Sequence, residues 1–223
     1  MILIFKVCNI LKNKFLSKEN IFIFDLEYNL YSESNLKIKL ENIVYFQSGI
    51  FLKPDINADI YYLQASHFDE YGRFNPMVMP ALQLSNIPQK HLLNSGDVLF
   101  AAKGLNNFAV TYKEAIGKAV ASSAFVVLRI TEEFKDKIHP EYLVWLLNHP
   151  NTKGLLYQHL AQSTIVSVSI QNLKTMEINI PDMKTQDLVI RIQNLRNREK
   201  ELLKQITTLK DTFIQKLLLT ASK

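Results

Sequence analysis

The residue types that most often carry catalysis are present in this chain, but none stands in an arrangement that could perform it. The five histidines, His67, His91, His139, His149 and His159, show no His-x-x-x-His or other ligand spacing. The single cysteine, Cys8, excludes Cys-rich zinc patterns and an intramolecular disulfide framework. There is no phosphate-binding loop, no nucleophile elbow and no Gly-rich cofactor loop. The expectation is a chain without catalytic residues, metal or cofactor. What remains are hydrogen-bond donors suited to a polyanion. The net charge is +5 and the pI about 9.1, which favours such partners in general. The excess sits in residues 181–223, with nine basic against five acidic side chains. The preceding globular part is nearly neutral.

Those donors need elements to position them. With 48% hydrophobic and 21% charged residues and few Gly or Pro, the composition is that of a globular protein. Lys6 and Asn9 interrupt the apolar N-terminus, no cleavage site follows, and no stretch is long enough for a membrane helix; a soluble cytoplasmic protein is expected. Residues 1–35 form an extension of uncertain role, with Ile21–Phe24 a plausible strand. From residue 36 short apolar runs alternate with turn residues. Strands are expected near Ile43–Phe46, Ile60–Gln64, Asp97–Phe100, within Ala119–Ile130 and at Met176–Ile180, and the alternation over Ile165–Ile170 is strand-like. Pro140 opens one helix and Thr152–Leu160 forms a second. Tyr142 and Trp145, on the first, are expected in the core. Residues 36–181 therefore read as an α+β domain.

Residues 182–223 change character. No Gly follows Gly154 and no Pro follows Pro181, so nothing there breaks a helix. Alternate steps of four and three connect Leu188, Ile192, Leu195, Glu199, Leu202, Ile206, Leu209 and Phe213, all apolar except Glu199. This is a coiled-coil seam, widened by Leu203, Leu217 and Leu218. A helix from Asp187 to Leu219 would run about 50 Å, longer than a domain of this size is wide. The competing expectation is an amphipathic helix lying on its own domain.

Three segments carry a resemblance. Leu93-Asn94-Ser95-Gly96-Asp97-Val98-Leu99-Phe100-Ala101-Ala102-Lys103-Gly104 resembles the Gly-Asp-(Ile/Val)-Leu strand with a following (Arg/Lys)-Gly that is found in the recognition domains of type I restriction-modification specificity subunits. Gln162-Ser163-Thr164 with Ser169-Ile170-Gln171-Asn172-Leu173-Lys174 is similar to their Gly-Ser-Thr segment and the Leu-Lys that follows it. Ile178-Asn179-Ile180-Pro181-Asp182-Met183-Lys184-Thr185-Gln186 resembles the entry to their spacer helix. A weaker echo lies in Gln47–Lys53 and Tyr61–Gln64. Asp182 replaces the family's second proline, Gln162 replaces its glycine, and Asn106-Asn107-Phe108 departs from the sequence usual after Lys-Gly. The match covers roughly residues 38–220. It contains one recognition domain and one helix, where the full subunit has two of each.

The resemblance implies a non-catalytic protein that reads one half of a split site in double-stranded DNA. It further implies self-pairing, or pairing with a second half-subunit, through the C-terminal helix, with methyltransferase and restriction subunits supplying the chemistry. Phosphate contacts are expected from Lys53, Arg73, Lys103, Lys113 and Lys118, in or near loops, and adenine contacts from Asn106 and Asn107. Ser163 and Thr164 are candidates for phosphate or for turn capping. Gln186 is expected to act structurally at the helix start. The expected pairing surface is Leu188, Ile192, Leu195, Leu202, Ile206, Leu209 and Phe213. Phe74-Asn75-Pro76-Met77 falls short of an amino-methyltransferase motif, since Met77 and the residue order are wrong. Rival readings are a coiled-coil protein adaptor and the detached recognition part of a fused restriction-methyltransferase.

Overall fold

The computed structural model describes residues 37–55, 58–104, 106–158 and 167–222. The 1–35 extension, its expected strand, and Ser163 and Thr164 lie outside these. The framework is a four-stranded antiparallel sheet in the order β2 (Val44–Ser48), β7 (Phe125–Ile130), β4 (Val98–Ala101), β5 (Ala109–Thr111). A parallel pair, β3 (Tyr61–Leu63) with β6 (Ala119–Ala121), packs beside it. The short pair β1 (Ile38–Lys39) and β8 (Glu177–Ile178) brings the two ends of the domain together.

Alternation along β4 explains why the strand is buried throughout. Val98 and Phe100 point into one core cluster, and Leu99 and Ala101 point into a second on the opposite face. The first cluster is closed by α1 (Pro140–Asn148), through Tyr142, Leu143 and Leu147, and by Leu156 of α2 (Pro150–Gln158). Burial pushes the Tyr142 phenol up to about 12, as for a core residue, and Trp145 packs half-buried against the same cluster. The second cluster is closed by Leu63, Ala119 and Ala121 of the parallel pair. The other faces of that pair, Tyr62 and Val120, join Ile60, Leu82 and Ile87 in a third.

The Gly-Asp of the β4 motif is architectural. Gly96 adopts φ +88°, a turn conformation that a side chain would strain. Asp97 is 2% exposed. Its carboxylate accepts from Arg129 Nε at 2.8 Å and Nη2 at 2.6 Å, and from the Asn94 N–H at 2.8 Å. The bond to Asp97 raises the Arg129 pKa above its ordinary value.

The expected strand over Ile165–Ile170 is corrected for its described part. Ser167 forms an isolated bridge with Lys103, and the Ser169 hydroxyl then accepts the Asn172 N–H at 3.1 Å, capping the short helix α3 (Ile170–Lys174). A serine spacing that looked like alternation is a bridge followed by a cap.

The final helix, α4 (Met183–Ala221), runs 39 residues, about 58 Å at 1.5 Å per residue. Asp182, where the resemblance expects proline, is its N-cap and accepts the Thr185 N–H at 3.0 Å. Gln186 is wholly buried. It accepts from the His139 N–H at 2.9 Å and donates to the Lys137 and Pro181 carbonyls, each at 2.8 Å, so one amide ties the starts of α1 and α4 together. Among the described residues no helix is long and apolar enough to cross a membrane.

Candidate nucleic-acid interface

Strand register decides which loops share an end of the sheet. β2 and β4 both finish opposite the start of β7, where Ser48 pairs with Val126 and Ala101 with Phe125. β3 and β6 finish together, Leu63 beside Ala121. One end therefore gathers the 49–55 loop, the 64–76 loop, the β4–β5 turn and the β6–β7 turn. Backbone bonds join them: Gly49 N–H to the Phe125 carbonyl, Ile50 N–H to Ala121, and Lys103 N–H to Ala124. A Cβ at Gly49 would collide with the Ser122 carbonyl, so glycine is required for this close approach.

Two open grooves cross this end and share Ser66. One, of about 490 Å³, lies between the Phe51–Pro54 segment and the Ser122–Ala124 turn, with Gln64 and Ser66 on its floor. The other, of about 510 Å³, is lined by His67, Asp69, Arg73 and Asn75. Burial lowers the His67 pKa from its ordinary 6.5, favouring the neutral imidazole.

The structure divides the sequence-derived contact residues. Lys53, Lys103 and Asn106 are exposed at the grooved end. Ser167, where the described chain resumes, is bridged to Lys103 at this end. Lys113 and Lys118 are exposed at the opposite end, after β5 and before β6, with the six residues of β7, about 20 Å, between the two ends. They do not join the other lysines in one surface.

Two further placements correct the expectation. Asn107 is 1% exposed and its Nδ2 donates to the Ala101 carbonyl at 2.8 Å; it shapes the β4–β5 turn and cannot reach a base. Arg73 is occupied. Its guanidinium donates to Asp69 at 2.8 Å and to Glu201 of α4 at 2.9 Å. The bond from Arg73, then that from Arg198, holds the Glu201 carboxyl below its ordinary value. Burial alone would raise Asp69, but bonds from the Arg73 backbone and side chain and the Tyr71 N–H outweigh it and lower the carboxyl. Lys204 reaches Glu70 at 2.7 Å, a second tie between this loop and the helix. No sequence pattern signals these ties, since the partners are more than 120 residues apart.

The expectation of a helix lying on its own domain holds for the early turns of α4. Val189 is buried and Ile190 packs on the first cluster, so the early turns lie on the domain. Beyond them Leu195, Leu202, Ile206, Leu209, Phe213 and Leu217 are exposed, at 42–71%. At about 100° per residue, Leu188 and these six fall within about 40° of one line, with Ile192 about 60° off it. Gln186, Ile190, Gln193, Asn197 and Lys204 lie within about 40° of the opposite line, and the domain contacts Val189 and Glu201 within about 60° of it. The apolar seam faces away from the domain.

No family model matches the sequence, and no curated protein does. Solved structures do match in fold. A chain from a type I R-M system, solved to explain complex assembly and conformational transition, superposes with TM-score 0.61 at 13% identity over 86% of this chain and 49% of its own length. The HsdS subunit from Thermoanaerobacter tengcongensis gives TM-score 0.55 at 13% identity, over 81% of this chain and 45% of that one. The present chain spans about half the length of these proteins. Its α+β fold with a long terminal helix is the fold found over about half the length of these type I restriction-modification chains.

Proposed function

We propose that this chain is a half-length specificity subunit: one DNA-reading domain that pairs through α4 and directs partner methyltransferase and nuclease subunits without chemistry of its own. The observation that carries this is the direction of the seam. Leu195, Leu202, Ile206, Leu209 and Phe213 are exposed on the side of α4 opposite the domain, so among the described residues nothing stops a second helix from lying along them. An isologous pair then restores two readers from one sequence. Charge favours antiparallel over parallel pairing. In a parallel, in-register pair Glu199 would face its own copy within the seam, whereas an antiparallel pair centred on the exposed apolar stretch separates the two carboxylates. Two readers so related address inverted half-sites, about one DNA turn of 34–36 Å apart if the helices overlap along most of their length.

At the grooved end Lys53 and Lys103 supply phosphate contacts, and Asn106 and Ser123 face the base edges. Lys113 and Lys118, at the far end, act on flanking phosphates or on partner subunits. The test is sedimentation with duplex binding. The wild-type chain is expected to sediment as a dimer and Ile206→Asp as a monomer. Identical sedimentation of the two would remove the seam from the account. Duplex affinity should fall steeply with salt as counterions are released; salt-insensitive binding to protein alone would favour the adaptor.

A further inference from the structure

Phe51 is 76% exposed on a loop that is otherwise fastened down. Gly49 is locked against the Ser122 carbonyl, and the Ile50 N–H bonds the Ala121 carbonyl at 3.0 Å. The Tyr62 hydroxyl donates to the Ile50 carbonyl at 2.8 Å and accepts the Leu52 N–H at 3.4 Å. Leu52 packs into the third core cluster. The chain on both sides of Phe51 is thus pinned, while among the described residues its ring stacks on no other ring. A benzyl group held in water by a rigid support gains nothing within the chain. It stands at the grooved end, on the rim of the groove that holds Ser122 and Ser123, and Lys53 lies two residues on, about 7 Å along an extended chain.

We infer that Phe51 is a specificity-determining residue that packs on the C5 methyl group of a thymine in the major groove, while Lys53 holds a neighbouring phosphate. This rests on the DNA reading proposed above. The thymine methyl is the apolar feature that the major groove offers to a side chain, and a phenyl ring is a suitable partner for it. Lys53 follows two residues on and Ser123 stands across the groove, so the exposed ring of Phe51 supplies an apolar contact between polar ones. A ring inserted as a wedge between base pairs would kink the duplex instead. Such a wedge would be indifferent to the methyl group.

The experiment selects duplexes from a pool with random cores, using the 223-residue chain. Each thymine of the enriched duplex is then replaced in turn by uracil, which removes only the methyl group. Wild type is expected to lose about fourfold in affinity at one thymine of each half-site, the worth of one buried methyl. Phe51→Ala should bind the thymine and uracil duplexes equally, and Phe51→Leu should regain part of the preference. At 76% exposure the ring can be removed without unfolding the domain, which far-UV circular dichroism checks. If wild type enriches a sequence but ignores every uracil replacement, or if Phe51→Ala keeps the preference, the assignment is overturned while the DNA reading stands. If wild type enriches nothing, the DNA reading itself fails and this assignment falls with it.

Discussion

Removing the Arg129 guanidinium would leave the Asp97 carboxylate at 2% exposure with only the Asn94 N–H against it. Arg129→Ala should therefore destabilise the domain by about 3 kcal/mol, the usual cost of orphaning a buried charge. Denaturant unfolding would measure it, and a change below about 1 kcal/mol would show that the pair is not structural. Lys103, six residues after Asp97 in the same motif, is exposed and without an ion pair among the described residues. Lys103→Ala should leave unfolding unchanged, weaken binding to all duplexes alike and reduce the salt slope by about one. Unaltered duplex affinity at low salt would take Lys103 out of the interface. At this scale the sequence marked where a motif lay but not what each member does. Asn107 and Asn106 are adjacent and chemically identical, yet one is sealed under the β4–β5 turn and the other stands in solvent. Phe51 escaped notice because an isolated aromatic in a loop carries no pattern; only the pinned backbone on both sides makes its exposure informative.

Elements were legible where periodicity is local. Pro140 at the start of α1, the strands around Val98 and Phe125, and the unbroken run of α4 all follow from spacing and breakers. β5 was missed because three residues, Ala109–Thr111, are too short to show alternation, and its edge is satisfied by the Asn148 side chain bonding both the N–H and the carbonyl of Ala109. The contact between the 69–73 loop and α4 belongs to this scale as well. Arg73–Glu201 and Lys204–Glu70 are exposed pairs, so each adds little stability. Together they are expected to set the direction in which the helix leaves the domain. The Asp69 and Glu201 carboxyls lie below their ordinary values of 3.8 and 4.5, so their contribution is complete above those values and is lost as pH falls through the lowered ones. Spin labels at Tyr71 and Thr208 should give a narrow distance distribution at pH 7. The distribution should broaden in 1 M salt, in acid, and in the double variant Arg73→Ala, Lys204→Ala. A distribution equally narrow in the variant would assign the helix direction to the Gln186 clamp alone.

For the whole molecule the decisive feature is imbalance: the domain closes its own core on three clusters, while α4 leaves an apolar face pointing outward that none of the described residues covers. That the seam existed could be read from steps of four and three along the sequence. That it faces away from the domain could not, because the rotation of α4 is set by Gln186 and Val189 docking on residues far away in the chain. In the proposed function, twofold pairing through that face would turn one reader into two, related by symmetry, and a symmetric protein requires a symmetric target. The sequence enriched by the 223-residue chain from random duplexes therefore tests the account most directly. The expected result is an inverted repeat whose two halves are separated by a fixed, unread spacer. A single half-site with no mirror image would contradict it.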